Sequence, residues 1–205
     1  SPVIVTDVTG DKVSRVHGAM SFGYLDASKP VTHYTRTLEV ENRSFLPMLY
    51  KVKPTLRYQD DKDTGAVGMT VTPSTIVVYP FGKTRVKVKL TVDATKLRNN
   101  LMNSGSLGNA IGPLTANEYD GYVFFEGKHH KVSMPWHILP RKSADVVAKV
   151  HKGMLPATDP ATGAGVVPLK NKGVGDANIF AYSLLGTGPD TPRGDRGGQQ
   201  PNPTI

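Results

Sequence analysis

Thr84-Arg85-Val86-Lys87-Val88-Lys89-Leu90-Thr91-Val92-Asp93 decides the fold. Val86, Val88, Leu90 and Val92 point one way, and Arg85, Lys87, Lys89 and Thr91 the other. A period of two is the signature of a strand with one face on a core and one in water. The same pattern runs outward in both directions. Met48, Tyr50, Val52, Leu56 and Tyr58 share one face of a second stretch, against Lys51, Lys53, Thr55 and Arg57. Tyr34, Leu38 and Val40 alternate with Thr35, Thr37, Glu39 and Glu41. Val132, Met134, Trp136 and Ile138 share parity across Pro135, which predicts an edge strand or a bulge there, because proline cannot donate to a ladder.

Turn residues separate these stretches. Asn42-Arg43-Ser44 divides two strands, and residues 59–65 form a polar loop. Pro73-Ser74 and Pro80-Phe81-Gly82 bracket a short strand, Thr75 to Tyr79. Gly127-Lys128 makes a hairpin of Tyr122–Glu126 and His129–Ile138. About seven strands are predicted between Ala19 and Leu139, with a lead-in strand at Val3–Val8. Many short strands with frequent turns imply an all-β, two-sheet antiparallel sandwich. Its predicted inward set is Leu38, Val40, Tyr50, Val52, Leu56, Val71, Ile76, Val78, Val86, Val88, Leu90, Val123, Phe125, Val132, Met134 and Trp136. Asp93 can cap a short helical turn, and residues 99–117 read as a long loop. The expected domains are a lead-in strand over 1–18, the sandwich over 19–141, and a loop-rich extension over 142–205 that is a linker and the start of a further β region, or a tail.

Composition narrows function. The chain has 205 residues and no cysteine, which excludes disulfides, thiolate metal sites and a cysteine nucleophile. No apolar run is long enough for a membrane-spanning helix. The net charge of +8 is spread along the chain. The chain opens on Ser1, and we expect it to be part of a longer product.

No catalytic constellation is legible, so the expectation is a non-enzyme with no catalytic, cofactor-binding or metal-ligating residues. His17, His33, His129, His130, His137 and His151 lack chelating spacing and read as surface histidines. Asp60, Asp61 and Asp63 offer oxygens to a calcium ion, yet Gly65 and the missing closing Glu break the EF-hand pattern. A solvated turn is the favoured reading, and no cofactor is expected. Lys83, Arg85, Lys87 and Lys89 form a basic row with no interleaved aromatic, so a nucleic-acid partner is not expected. Glu39 and Glu41 are placed to neutralise it. Tyr122, Phe124, Phe125 and Trp136 offer a sugar platform, with core packing favoured. Arg193-Gly194-Asp195 spells an adhesion tripeptide, and Asn42-Arg43-Ser44 a glycosylation sequon.

The run Tyr34-Thr-Arg-Thr-Leu-Glu-Val-Glu-Asn-Arg-Ser44 resembles a strand of the fibronectin type III-like domain that follows the catalytic domain of secreted subtilisin-like serine peptidases. Val71-Thr-Pro-Ser-Thr-Ile-Val-Val-Tyr-Pro80, with Gly82 and the strand to Val92, is similar to its next strands. Glu118-Tyr-Asp-Gly-Tyr-Val123 and Met134-Pro-Trp-His-Ile-Leu-Pro-Arg141 look like its closing hairpin and exit. The likeness covers roughly 19–141. It implies a fibronectin type III/immunoglobulin-like sandwich acting as a non-catalytic accessory domain. The domain would stabilise an extracellular or cell-surface peptidase or present its protein substrate. No member of the Asp/His/Ser triad transfers: Gly-Thr-Ser-Met-Ala is absent, and His17-Gly18-Ala19 is not the histidine motif. The implied partner is the subtilisin-like catalytic domain of the same parent protein, reached through loop 99–117. The alternatives are an adhesion or polysaccharide-binding module, or a passive spacer.

Overall fold

The computed structural model describes residues 3–10, 18–99, 117–148 and 168–177. Its two main sheets follow from the alternation. The first has four strands in the order β1 (Val3–Asp7), β3 (Val31–Asn42), β7 (Lys83–Asp93), β5 (Val67–Thr72). The second has five, in the order β2 (Met20–Ala27), β9 (Lys131–Lys142), β8 (Tyr119–Glu126), β4 (Met48–Leu56), β6 (Thr75–Val78). Apolar faces of both sheets meet in one core, and the chain is an immunoglobulin-like β-sandwich. Every pairing between these strands is antiparallel except β2 with β9, which run parallel.

Of the predicted inward set, Leu56, Val71 and Val132 are partly buried against the core, and the rest are buried. Tyr58 does not join them; it lies past the end of β4 and is 49% exposed. Trp136 is core, and its Nε1–H donates to the Thr55 carbonyl at 3.2 Å. Gly121 lets these strands come close, since a Cβ there would strike the Thr55 carbonyl.

Several expectations are corrected. Eight strands, β2 to β9, occupy the span where about seven were predicted; β5, Val67–Thr72, which pairs with β7, is not outlined by the alternation. Val3–Asp7 is an edge strand of the four-stranded sheet, in register with residues 38–42 of β3. β9 is an interior strand, flanked by β2 and β8. Pro135 is tolerated because β2 pairing starts at Met20 opposite Trp136, so no donor is needed on that side at Pro135. Residues 59–64 form a one-turn helix, α1 (Gln59–Thr64), ended by Gly65 at φ +59°. Asp93 caps the 3-10 turn Ala94–Lys96, its Oδ1 accepting from Thr95 N–H at 3.1 Å.

Residues 168–177 return to the sandwich. β10 (Val146–Ala148) pairs with β11 (Leu169–Asn171), and the Val174 N–H donates to the Ser28 carbonyl at 3.2 Å. Loop 99–117 beyond its ends, His17, His151 and Arg193-Gly194-Asp195 lie outside the described residues.

Candidate functional site

The site is built around Asn42. This residue ends β3 with 0% of its surface exposed. Its Nδ2 donates to the carbonyls of Leu46 (2.8 Å) and Val78 (3.0 Å). Its Oδ1 accepts from the Ser44 N–H (2.9 Å) and hydroxyl (2.7 Å). Its backbone N–H reaches the Gly82 carbonyl at 3.0 Å. Asn42 therefore ties the β3–β4 loop to the end of β6 through its side chain and holds the β6–β7 turn through its backbone N–H. The nitrogen that glycosylation would use is buried and committed to two carbonyls, so the sequon reading fails in the folded chain.

Those tethered loops present apolar side chains to water. Phe45 is 84% exposed, Tyr79 71%, Leu46 70% and Phe81 61%. Phe45 and Phe81 meet edge to face, with centroids 4.9 Å apart. Phe81 has φ +56°, a strained conformation for a bulky residue, and the turn is closed by the Gly82 N–H on the Tyr79 carbonyl. Leu49 and Val77, paired across β4 and β6, are both exposed and carry the apolar surface onto the sheet. Scattered exposed hydrophobics are ordinary; here four exposed apolar side chains lie on loops held by one buried polar clamp.

A groove of about 390 Å³ adjoins this corner, between residues 46–50 and the hairpin turn 127–130. Its walls are mainly apolar, with Lys128, His129 and His130 on one side. Gly127 approaches closely: a Cβ there would lie 3.2 Å from the Leu49 carbonyl.

The other sequence candidates are placed elsewhere. Lys83 binds Glu39 at 2.7 Å and Glu41 at 3.7 Å, and Arg85 binds Glu39 at 3.2 Å. The Lys83 hydrogen bond leads the causes that hold the Glu39 carboxyl below its usual range. Lys87 and Lys89 face threonines on both neighbouring strands: Thr37 and Thr72, and Thr35 and Thr70.

The acidic triplet is not a cradle. Asp61 is 2% exposed and meets Arg98 at 3.0 Å. Asp60 binds the same guanidinium at 3.0 Å, and Asp63 accepts from the Gln59 side chain. Burial pushes the Asp61 carboxyl up, with Arg98 opposing. Arg98 also lies over the Tyr119 ring at 5.6 Å. Among the described residues, no three metal-ligating side chains converge.

The sugar platform loses its tryptophan to the core. Tyr122 and Phe124 stack on each other at 5.5 Å, with the Lys131 ammonium 3.9 Å from the Phe124 ring centre. Ser21 Oγ lies 2.9 Å from His137 Nε2 across β2 and β9, a pair the sequence did not reveal. Asp120, opposite His137 on β8, takes the Arg57 guanidinium at 3.2 Å. The Phe45–Phe81 corner was also missed in the sequence, where neither residue has strand periodicity to flag it.

No protein-family model matches the chain, and no curated protein matches it. Solved structures similar to it include a FixG-related protein from Vibrio parahaemolyticus, at 15% identity, with 68% of this chain and 97% of that one covered and a TM-score of 0.39. The PapD-like domain 7 of human CEP192 is similar at 11% identity, 69% and 87% coverage and a TM-score of 0.38. SSP-19, an MSP-domain-like protein of Caenorhabditis elegans, is similar at 14% identity, 59% and 94% coverage and a TM-score of 0.29. With these TM-scores below 0.5, the sandwich assignment rests on this chain's own strand order and register. No helix among the described residues is long and apolar enough to cross a membrane.

Proposed function

We propose that this chain is a non-catalytic, protein-docking sandwich, and that it serves as the accessory domain of an extracellular subtilisin-like serine endopeptidase whose triad lies outside it. The observation that carries the docking reading is the corner of Phe45, Leu46, Tyr79 and Phe81. Holding a positive-φ phenylalanine and displaying apolar rings to water costs stability. Burial against a partner returns roughly 1.5–3 kcal/mol per large apolar side chain. The peptidase link comes from the sequence resemblance over 19–141. The polysaccharide-binding alternative has less support, because Trp136 is buried.

The test uses the native product that carries this chain. A fluorophosphonate probe should label a serine outside Ser1–Ile205, and F45S/F81S should lower the melting temperature of the labelled part. Unlabelled product would remove the peptidase link. Label with an unchanged melting temperature would remove the docking role of the corner.

A further inference from the structure

The two main sheets end on four edge strands, β1, β5, β2 and β6, and three of them are guarded. Four of the five residues of β1 are buried. β2 is broken by the register shift between Ser21 and Tyr24, and its Ser21 carbonyl accepts from Arg36 Nη2 at 2.7 Å. β6 has only four residues, and the Val77 carbonyl on its outer side accepts from Thr84 Oγ1 at 3.1 Å. β5, Val67-Gly-Met-Thr-Val-Thr72, carries no charge, no proline and no bulge along its pairing with β7, so it has none of the usual devices that blunt an edge. Its backbone polarity follows from the register, because donors and acceptors alternate sides along a strand. The Asp93 N–H donates to the Ala66 carbonyl at 2.7 Å, so odd-numbered residues of β7 face β5. Thr91, Lys89 and Lys87 therefore exchange hydrogen bonds with Gly68, Thr70 and Thr72. Met69 and Val71 direct their N–H and C=O groups away from β7, and no hydrogen bond engages those groups among the described residues. Val67 is buried, so the open run is 68–72.

We infer that the β5 edge takes an extended segment of a partner protein in which acidic residues alternate with apolar ones. This surface shares no residue with the Phe45–Phe81 corner, and the inference does not depend on that corner. The segment adds a fifth strand to the four-stranded sheet, antiparallel like every pairing already in it. Its backbone meets the N–H and C=O groups of Met69 and Val71. Side chains opposite Met69 and Val71 turn to the core side, where both residues are only partly buried, so apolar groups there extend the core. Side chains opposite Thr70 and Thr72 turn to the outer face, where charge decides. On that face Lys83 and Arg85 are held by Glu39. Lys87 and Lys89 are exposed, face only threonines and make no ion pair among the described residues. Lys89 is level with Thr70, and Lys87 with Thr72. A strand added beside β5 lies about 10 Å from β7, two strand spacings, a gap that extended lysine and glutamate side chains bridge over the threonines. Two cations without counter-ions, one strand in from an open edge, favour carboxylates on the incoming strand. A second copy of β5 would instead bring two such lysine pairs towards each other, which disfavours self-pairing.

Three peptides, capped at both ends, serve as probes. The first is Gly-Ser-Glu-Val-Glu-Val-Ser-Gly, the second has lysines for its glutamates, and the third is the acidic peptide with its second valine N-methylated. That methyl group removes a donor aimed at the β5 backbone. The ¹⁵N-labelled 205-residue chain is titrated with each to about 1 mM at low salt, where weak binding and surface charge are both visible. We expect the acidic peptide to shift the Met69 and Val71 amides saturably and to slow their hydrogen exchange. N-methylation should weaken binding by about tenfold or more, as loss of a backbone pairing does. Charge reversal in the peptide, or in the chain as Lys87→Glu/Lys89→Glu, should each weaken it by about threefold or more. Both lysines are exposed, so the double variant should melt like the wild type. It should also bind the lysine peptide better than the wild type does, which a loss of stability cannot produce. The inference is overturned if the acidic peptide leaves the Met69 and Val71 amides unmoved. It is equally overturned if the N-methylated peptide binds as well, or if the charge of the peptide makes no difference to either chain. Protection of these two amides that grows as the chain alone is concentrated would make a second copy the occupant and overturn it too.

Discussion

Asn42→Ala tests the clamp that shapes the site. The substitution removes four side-chain hydrogen bonds and takes the Asn42 donor from the buried Val78 carbonyl, while the Leu46 carbonyl keeps the Ser44 hydroxyl at 3.1 Å. A typical net hydrogen bond contributes about 0.5–1.5 kcal/mol, and a buried acceptor left unpaired costs about 1–3 kcal/mol. The two Ser44 bonds are partly buried and Ser44 itself can turn to water, while the Val78 bond is buried. The expected loss is therefore about 2–4 kcal/mol. For a chain of this size that is a fall in melting temperature of about 4–16 °C. Urea unfolding monitored by Trp136 fluorescence gives the value, since this is the only tryptophan and is core. Asn42→Asp keeps the acceptor but replaces the donor by a carboxylate facing two carbonyls. It should be at least as damaging as alanine at neutral pH and should improve on acidification, when the buried carboxyl can protonate. Hydrogen exchange of residues 43–47 should accelerate in both variants before global unfolding. A loss below about 0.5 kcal/mol, the range of ordinary surface substitutions, would refute the clamp.

Three further outcomes follow from the packing and the charges. Val88→Asp puts an unpaired carboxylate at a position with 0% exposure and should abolish cooperative unfolding at 25 °C, as read by near-UV circular dichroism. Arg98→Ala leaves Asp61 buried without its cation and should cost about 3–5 kcal/mol near pH 7. Because the folded Asp61 pKa is already raised by burial, losing Arg98 raises it further, so the deficit should shrink as pH falls through that folded value. Glu39→Gln addresses the opposite sign. The folded Glu39 pKa is lowered, so its contribution is complete above the unfolded value near 4.5 and is lost as pH falls through the folded one. The wild-type advantage should be about 0.2–1 kcal/mol at pH 7, vanish in acid and weaken in salt.

The residues that read correctly are those whose environment is set by their own strand. Val86 to Val92 alternate without a break, and the register with β3 and β5 keeps every one inward. β2 was less legible for a local reason. Met20 and Phe22 are buried, and then Ala27, of opposite parity, is buried too. The register shift between Ser21 and Tyr24, with Gly23 at φ +72°, flips the faces midway and hides the period. α1 has no apolar periodicity; Asp61 is held by Arg98, 37 residues later. The apolar corner depends on Asn42 reaching Leu46 and Val78, contacts that no motif announces. The groove depends on where β8 stops relative to β4, which is a fact of register and not of composition.

The central claim is that the corner of Phe45, Leu46, Tyr79 and Phe81 is covered by a partner protein. Hydrogen exchange by mass spectrometry on the native product, compared with the isolated 205-residue chain, tests it most directly. The account predicts that residues 43–49 and 77–82 exchange more slowly in the native product while β3 and β7 exchange alike in both. Equal exchange at the corner in both samples would contradict it.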